Sequence, residues 1–307
     1  MTGTRILLPA FLLLTASLGP TGRQVTRSEQ TPASPTFRAA RDLVVLPVTV
    51  TDRQEKLAGG LTEDRFAVFD NDRRQRIALF SNGDIPVSVA LVIDDSGSTE
   101  TRLGEVLAAS IHLARASHPD DQLFVVEFND RVRDALGGRP LSAADLPELE
   151  QAIRTLRPLG RTALYDGLLS GLDRLEAGSH ARKVLVLISD GGDNASRATL
   201  ASVIARARAS NVAIYTIGVF DPDDPDANTG VLQTLAKETG GERFLPRSAG
   251  PLLQAAEQIA REIRSGYTIG FEPPDRDGRY HRLRVQLTGP DSRGFKIRTR
   301  PGYVAPQ

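Results

Sequence analysis

The 307-residue chain has no cysteine. That excludes disulfides, thiol nucleophiles, thiolate zinc sites and a lipidated amino-terminal cysteine. Nor has it an excess of charge of either sign, since 38 Lys and Arg balance 38 Asp and Glu. A neutral chain is not drawn in bulk toward nucleic acid or an anionic membrane. Enzyme signatures are missing as well. There is no G-x-S-x-G nucleophile elbow, no G-x-x-x-x-G-K-[ST] phosphate loop and no H-E-x-x-H helix. The four histidines, His112, His118, His180 and His281, are scattered without ligand spacing and are assigned no site. The apolar run "ILLPAFLLLTASL" over residues 6–18 falls short of the roughly 20 residues that span a bilayer.

What is present begins with that run. Arg5 precedes it and small residues follow, a layout that reads as a signal peptide over 1–19. The protein is therefore expected to be exported, periplasmic or secreted, with the segment acting as a membrane anchor if it stays uncut. Residues 20–36 read as a mobile tether. From 37 to 83 the pattern has period two: Val44, Leu46, Val48 and Val50 share a face, and Phe66 alternates with Val68. These are half-buried antiparallel strands.

From 84 to 264 the rhythm changes. The runs "VSVALVI" (87–93), "QLFVVEF" (122–128), "KVLVLIS" (183–189) and "NVAIYTIGVF" (211–220) are apolar on both faces, as buried parallel strands are. Helix-length amphipathic stretches lie between and after them, near 102–117, 142–156, 164–176, 197–209 and 249–264. This alternation predicts a doubly wound α/β domain with a mostly parallel sheet. After 265 the period of two returns, with Leu283, Val285 and Leu287 on one face. Neither terminal β piece buries a core alone. Residues 37–83 and 265–307 are therefore expected to pair into one small antiparallel β-sandwich, with 84–264 inserted between them through "SNGDIP" (81–86) and "RSGY" (264–267).

The stretch "DDSGSTE" (94–100) follows the first buried strand. In a doubly wound sheet ligands bind beyond the carboxyl ends of the strands, and Asp94, Ser96 and Ser98 lie just past such an end. Thr162 in "GRTALYDG" and Asp190 in "ISDGGDN" are expected at the same edge. Two carboxylates and three hydroxyls form an all-oxygen set that suits Mg²⁺, Mn²⁺ or Ca²⁺ rather than zinc or copper. Alternate positions of the tight loop point the same way, and Gly97 is expected to relax the backbone between the serines. Few charges on the direct ligands would leave the cation open to a further oxygen, such as a partner's carboxylate.

Asp94-x-Ser96-x-Ser98, then Thr162, then Asp190 in "SDG" resembles the metal-ion-dependent adhesion site of von Willebrand factor type A domains. The resemblance covers about 84–264, and the whole layout is similar to bacterial exported proteins of the VWFA-related kind. All five positions fit the pattern. The resemblance implies Ser96 and Ser98 as direct ligands, Thr162 as a switchable ligand, and Asp94 and Asp190 acting mostly through water. It implies a non-enzymatic protein-binding or adhesion module that holds Mg²⁺ and captures an acidic residue of a partner protein.

Blander readings stand beside these. Asp94 and Ser96 suit a helix cap, and Asp190 suits a turn before Gly191 and Gly192. Asp95 and Asp193 read as solvated loop carboxylates, "DPDDPDAN" (221–228) as a proline-stiffened acidic loop, and "NAS" (194–196) as an idle glycosylation sequon. A haloacid-dehalogenase-like phosphotransferase or hydrolase would also place an Asp after its first strand and use Mg²⁺. It would want a second Asp where Ser96 stands. The remaining alternative is an envelope component whose ion only rigidifies the fold.

Overall fold

A computed structural model describes residues 43–220 and 227–307, and leaves the side chain of Ala143 aside. The signal-peptide and tether expectations lie outside the described residues, as do residues 37–42 and 221–226. Among the described residues, no helix is long and apolar enough to cross a membrane.

The first strand, β1 (Val44–Thr51), buries Val44, Leu46, Val48 and Val50 on one face, as its alternation dictates. β2 (Phe66–Asp70) and β3 (Arg73–Gln75) form a hairpin in which Asp70 pairs with Arg73. Its two loop residues, Asn71 and Asp72, take φ of 44° and 66°. A two-residue loop with both φ positive matches the twist of its strands, and Asn and Asp tolerate that backbone. β4 (Leu79–Ser81) ends this part of the chain.

Beyond Pro86 the sheet membership changes. β5 (Val87–Asp94) is buried at all eight positions. It is followed by α1 (Leu103–Arg115), β6 (Gln122–Phe128), the short β7 (Val132–Asp134) and α2 (Leu146–Arg154). Then come α3 (Leu164–Ala177), β8 (Arg182–Ser189), α4 (Leu200–Ser210) and β9 (Ala213–Gly218). α5 (Thr229–Thr239), β10 (Arg243–Phe244) and α6 (Ala249–Ser265) complete the region. The strands form one sheet in the order β10-β9-β8-β5-β6-β7, parallel except for β7. Side chains alternate across β5, so Val89, Leu91 and Ile93 pack with α1, α2 and α6, while Ala90 and Val92 pack with α3, α4 and α5. The expectation of a doubly wound sheet with helices on both faces is met. α5, β7 and β10 were not anticipated. The two strands are too short to show a period, and "TGVLQTLAKET" adjoins the acidic loop and carries Gly230 in its first turn.

The chain then returns to the sandwich through β11 (Tyr267–Phe271), β12 (Tyr280–Leu287), β13 (Lys296–Arg298) and β14 (Gly302–Val304). Its two sheets run β13-β1-β11-β4 and β14-β12-β2-β3, so each contains strands from both ends of the described chain. β4 and β11 are hydrogen-bonded neighbours, with Ser81 opposite Thr268. Between the sheets lie Leu46, Phe66, Val68, Tyr267, Phe271 and Leu283, each fully buried side chain worth about 1.5–3 kcal/mol. The polar exception is His281, which is 3% exposed. Its Nδ1 lies 2.8 Å from Asp70 Oδ1, and Tyr303 donates to the other oxygen of Asp70, also at 2.8 Å. The sequence gave no sign of this buried trio, because its members come from three different strands or strand ends.

Arg182 holds the return point. Its guanidinium donates to the carbonyls of Ile263 and Gly266 and to Thr268 Oγ1, all where α6 hands the chain to β11. Arg182 is 5% exposed, and three oxygen acceptors offset the cost of burying its charge.

Candidate metal centre

β5 is the first strand laid down in the parallel sheet, with β6 on one side and β8 on the other. The direction of strand addition reverses there, which leaves a crevice at the carboxyl ends of β5 and β8. Asp94 closes β5, and Asp190 follows β8 directly.

Asp94 is 0% exposed. Its Oδ1 accepts from Ser96 N at 3.0 Å and from Ser96 Oγ at 2.6 Å, while its Oδ2 accepts from Ser189 Oγ at 2.6 Å. Asp190, 2% exposed, accepts from Gly192 N at 2.7 Å through Oδ1 and from Ser98 Oγ at 2.6 Å through Oδ2. Ser96 stands at the N-cap of the 3-10 turn Gly97–Arg102, yet its side chain makes no capping bond; the hydroxyl is spent on Asp94. The cap reading therefore fails for Ser96. Ser98 is half-buried beside an exposed Gly97, so the cluster opens to solvent there.

Gly97 has a different task from the one expected. Its φ is not in the left-handed region. Its N–H donates to Gly160 O at 3.2 Å, and a Cβ at 97 would stand 3.3 Å from that same oxygen. The glycine permits close approach of the loop that carries Thr162. Gly191 is the one that needs positive φ, at 82°, and a Cβ there would meet Asn228 O at 2.3 Å.

Thr162, 6% exposed, is pinned through its backbone. Its N–H donates to Asn194 Oδ1 at 2.9 Å, and its carbonyl accepts from the N–H groups of Asn194 and Ala195 at 3.0 Å. Ser196 Oγ donates to Asp193 Oδ1 and accepts from Tyr165 N and Asp166 N at the start of α3. The "NAS" tripeptide thus ties the Thr162 loop to the Asp190 loop, and Asp193 belongs to that tie instead of lying free in solvent. Thr99 Oγ1 donates to Ser96 O at 2.9 Å. In the sequence Asn194 and Ser196 read only as part of an idle sequon, and Thr99 was not singled out. Their signal was hydrogen-bonding capacity next to the motif, which many loops share.

Asp95 also departs from its reading as a solvated loop group. It is 0% exposed. Its N–H donates to Phe128 O, its carbonyl accepts from Leu159 N, and Arg133 lies 3.5 Å from Oδ2. Loops from both neighbours close over it. Burial, then the charge of Glu127, push its carboxyl up to about 6, with Arg133 opposing. Burial, then the charge of Asp190, push Asp94 up to about 7 against the hydrogen bonds of Ser189 and Ser96.

Two features test the fit of a cation. Neither Asp94 nor Asp190 forms an ion pair with a Lys, Arg or His among the described residues, although each is nearly fully buried. Uncompensated buried carboxylates are costly unless a positive group joins them. The second feature concerns protons. Ser96 Oγ and Ser98 Oγ lie 3.1 Å apart. Each hydroxyl has one proton, and each proton is already given to a carboxylate at 2.6 Å. With both hydroxyls donating to their carboxylates, the two oxygens turn lone pairs toward each other. Cis ligands of an octahedral ion with bonds of about 2.1 Å sit about 3.0 Å apart, so the spacing suits Mg²⁺. No cluster of three or more His, Cys, Asp and Glu among the described residues is arranged to hold a metal; a cation here depends on the hydroxyls.

A family model described as von Willebrand factor type A domain matches residues 88–258. A curated relative, uncharacterized protein sll0103 of Synechocystis sp., is 25% identical over 204 residues, covering 63% of this chain and 46% of the relative. The chain thus spans about half the length of the curated relative it matches. Among solved structures, a von Willebrand factor type A protein from Catenulispora acidiphila is 18% identical with a TM-score of 0.52, covering 87% of this chain and 74% of that one. The vWF domain of the type V pili tip protein Mfa5 from Porphyromonas gingivalis is 16% identical with a TM-score of 0.50, covering 59% and 95%. At these identities the likeness to the solved structures concerns the fold.

Proposed function

The chain belongs to the von Willebrand factor type A domain family, and from that premise we propose that it is an exported, non-enzymatic protein-binding module that captures an acidic residue of a partner protein at a Mg²⁺ site. Ser96 and Ser98 are the direct ligands, Thr162 is the ligand that can engage or withdraw, and Asp94 and Asp190 act from behind. The observation that carries this is the pair of serine oxygens 3.1 Å apart, each 2.6 Å from the oxygen of a buried carboxylate. Donating to an anion makes a hydroxyl oxygen a better electron donor, so neutral side chains can serve a hard cation. The bound ion would supply positive charge at the mouth of the crevice for a carboxylate from outside. One such contact does not hold two proteins together, so surrounding loops must contribute the rest of the interface. Leu159, 72% exposed on the loop that leads to Thr162, is an apolar side chain placed to do so. Export rests on the apolar run at 6–18.

Calorimetric titration of metal-stripped protein with Mg²⁺ and Mn²⁺ tests the site. A single saturable event, lost in Ser98→Ala, is expected; no heat and no thermal protection from either ion would sink it. Capture of a partner from envelope extract should need Mg²⁺, stop with chelator and fail for Asp94→Ala. Turnover of phosphate esters by wild type, lost in Asp94→Asn, would favour the phosphotransferase alternative instead.

A further inference from the structure

The segment 298–300 runs from β13 toward β14 and presses on the turn after α5. A Cβ on Gly240, whose φ is 83°, would meet Arg300 N at 2.5 Å. Together with Lys237 of α5, Arg243 of β10 and Arg284 of β12, this segment lines a cavity of about 460 Å³ between the parallel-sheet region and the sandwich. Five cationic residues and one acidic residue, Glu242, contribute to its lining.

Arg298 is held by Glu242 and Glu262, and Arg284 by Asp72. Among the described residues the other three cations have no carboxylate partner. Lys237 forms no hydrogen bond or ion pair among the described residues. Among the described residues Arg243 donates to Thr229 O, at 2.9 Å. Arg300 donates to the carbonyls of Arg208 and Val45, each at 3.0 Å. Arg300 is 2% exposed, and burial pulls it down to about 10. A buried guanidinium without an anion is expensive.

A second observation falls on the same wall. Arg298 Nε, Thr299 Oγ1 and Arg300 Nε are buried and have no hydrogen-bond partner. Nearly all buried polar groups in folded proteins are bonded, and exceptions call for an ion or a water. Here three fall on consecutive residues of one cavity wall. General basicity does not explain them, since the chain is neutral overall.

We propose that this cavity is an oxyanion site that takes a phosphate or sulfate group, held by Lys237 and Arg243. Guanidinium forks match tetrahedral oxyanions, and a lysine adds a mobile point charge. The volume admits a group larger than the free ion. Because its two walls belong to different sheets, an occupant would bridge the joint. The site is separate from the serine cluster and stands whether or not that cluster holds a cation.

The test is calorimetry and thermal shift on the whole chain with inorganic phosphate, sulfate, glycerol phosphate and acetate at constant ionic strength. Wild type is expected to bind phosphate or sulfate saturably and to ignore acetate. The double variant Lys237→Ala, Arg243→Ala loses few contacts and should fold as wild type does. Its oxyanion affinity should fall at least about tenfold, with the Mg²⁺ titration unchanged. Tighter binding of phosphate than of glycerol phosphate would assign the free ion, and the reverse a phosphomonoester. If phosphate, sulfate and acetate act alike, or wild type and variant bind equally, the proposal is overturned.

Discussion

The two polar centres of this molecule are opposites. At the carboxyl edge of the parallel sheet, buried carboxylates lack cations and their nearest partners are hydroxyls. At the joint with the sandwich, buried arginines lack carboxylates and lean on carbonyls. A balanced total charge of 38 against 38 therefore conceals a local separation. The lesson is that net charge says little about where an ion would be welcome. What matters is whether each buried charge has its counterpart within reach.

The contrast breaks most severely at Arg298, which Glu242 and Glu262 both hold. Arg298→Met strands Glu262, whose side chain is 1% exposed, and should cost about 3 kcal/mol of unfolding free energy in denaturant titration. Replacing Arg298 and Glu262 together by apolar residues of similar size should recover most of that loss. Asp94→Asn comes next. It should weaken Mg²⁺ binding at least about 100-fold, or about 2.7 kcal/mol, measured by calorimetry, because Ser96 loses its charged acceptor. Gly191→Ala should cost about 2 kcal/mol in thermal unfolding. It forces an L side chain to a φ of 82° and into Asn228 O, and so displaces the Asp190 loop.

The smallest effect is at Asp84 and Arg264, an exposed pair between the two links of the inserted region. The Arg264 hydrogen bond lowers the Asp84 carboxyl below its ordinary value. A depressed carboxylate contributes stability above its unfolded pKa and loses it as pH falls through the folded value. Asp84→Asn should thus cost no more than about 0.5 kcal/mol at pH 7, and the gap to wild type should close as pH falls through the lowered folded pKa. A gap that widened in acid would contradict the assignment.

How legible these centres were in the sequence follows from the same contrast. Asp94, Ser96 and Ser98 sit within five residues directly after a fully apolar run, so their spacing could be read. The sheet reads clearly for a related reason, since eight buried positions in a row in β5 and six in β6 leave few alternatives. The joint could not be read. Lys237, Arg243, Arg284 and Arg300 come from four separate stretches, and each looks like a surface cation in its own context. Asp95 was misread because its burial depends on what folds over it, Leu159 from one loop and Phe128 from another strand. Gly97 was found for the wrong reason: its lack of a side chain shows in a sequence, while the carbonyl that comes close to it does not.

The pairing of β4 with β11 has a consequence for how such a chain can change. The frame formed by both ends leaves at Ser81 and resumes at Tyr267 on the adjacent strand. To the frame, residues 82–266 amount to one outsized hairpin turn. Closing a loop grows more costly only with the logarithm of its length, so the frame is nearly indifferent to the length of what it carries there, provided that the contacts at the joint are kept. It can therefore serve as a socket. A lobe with another specificity could be grafted at the same two strand ends, and the frame would still close.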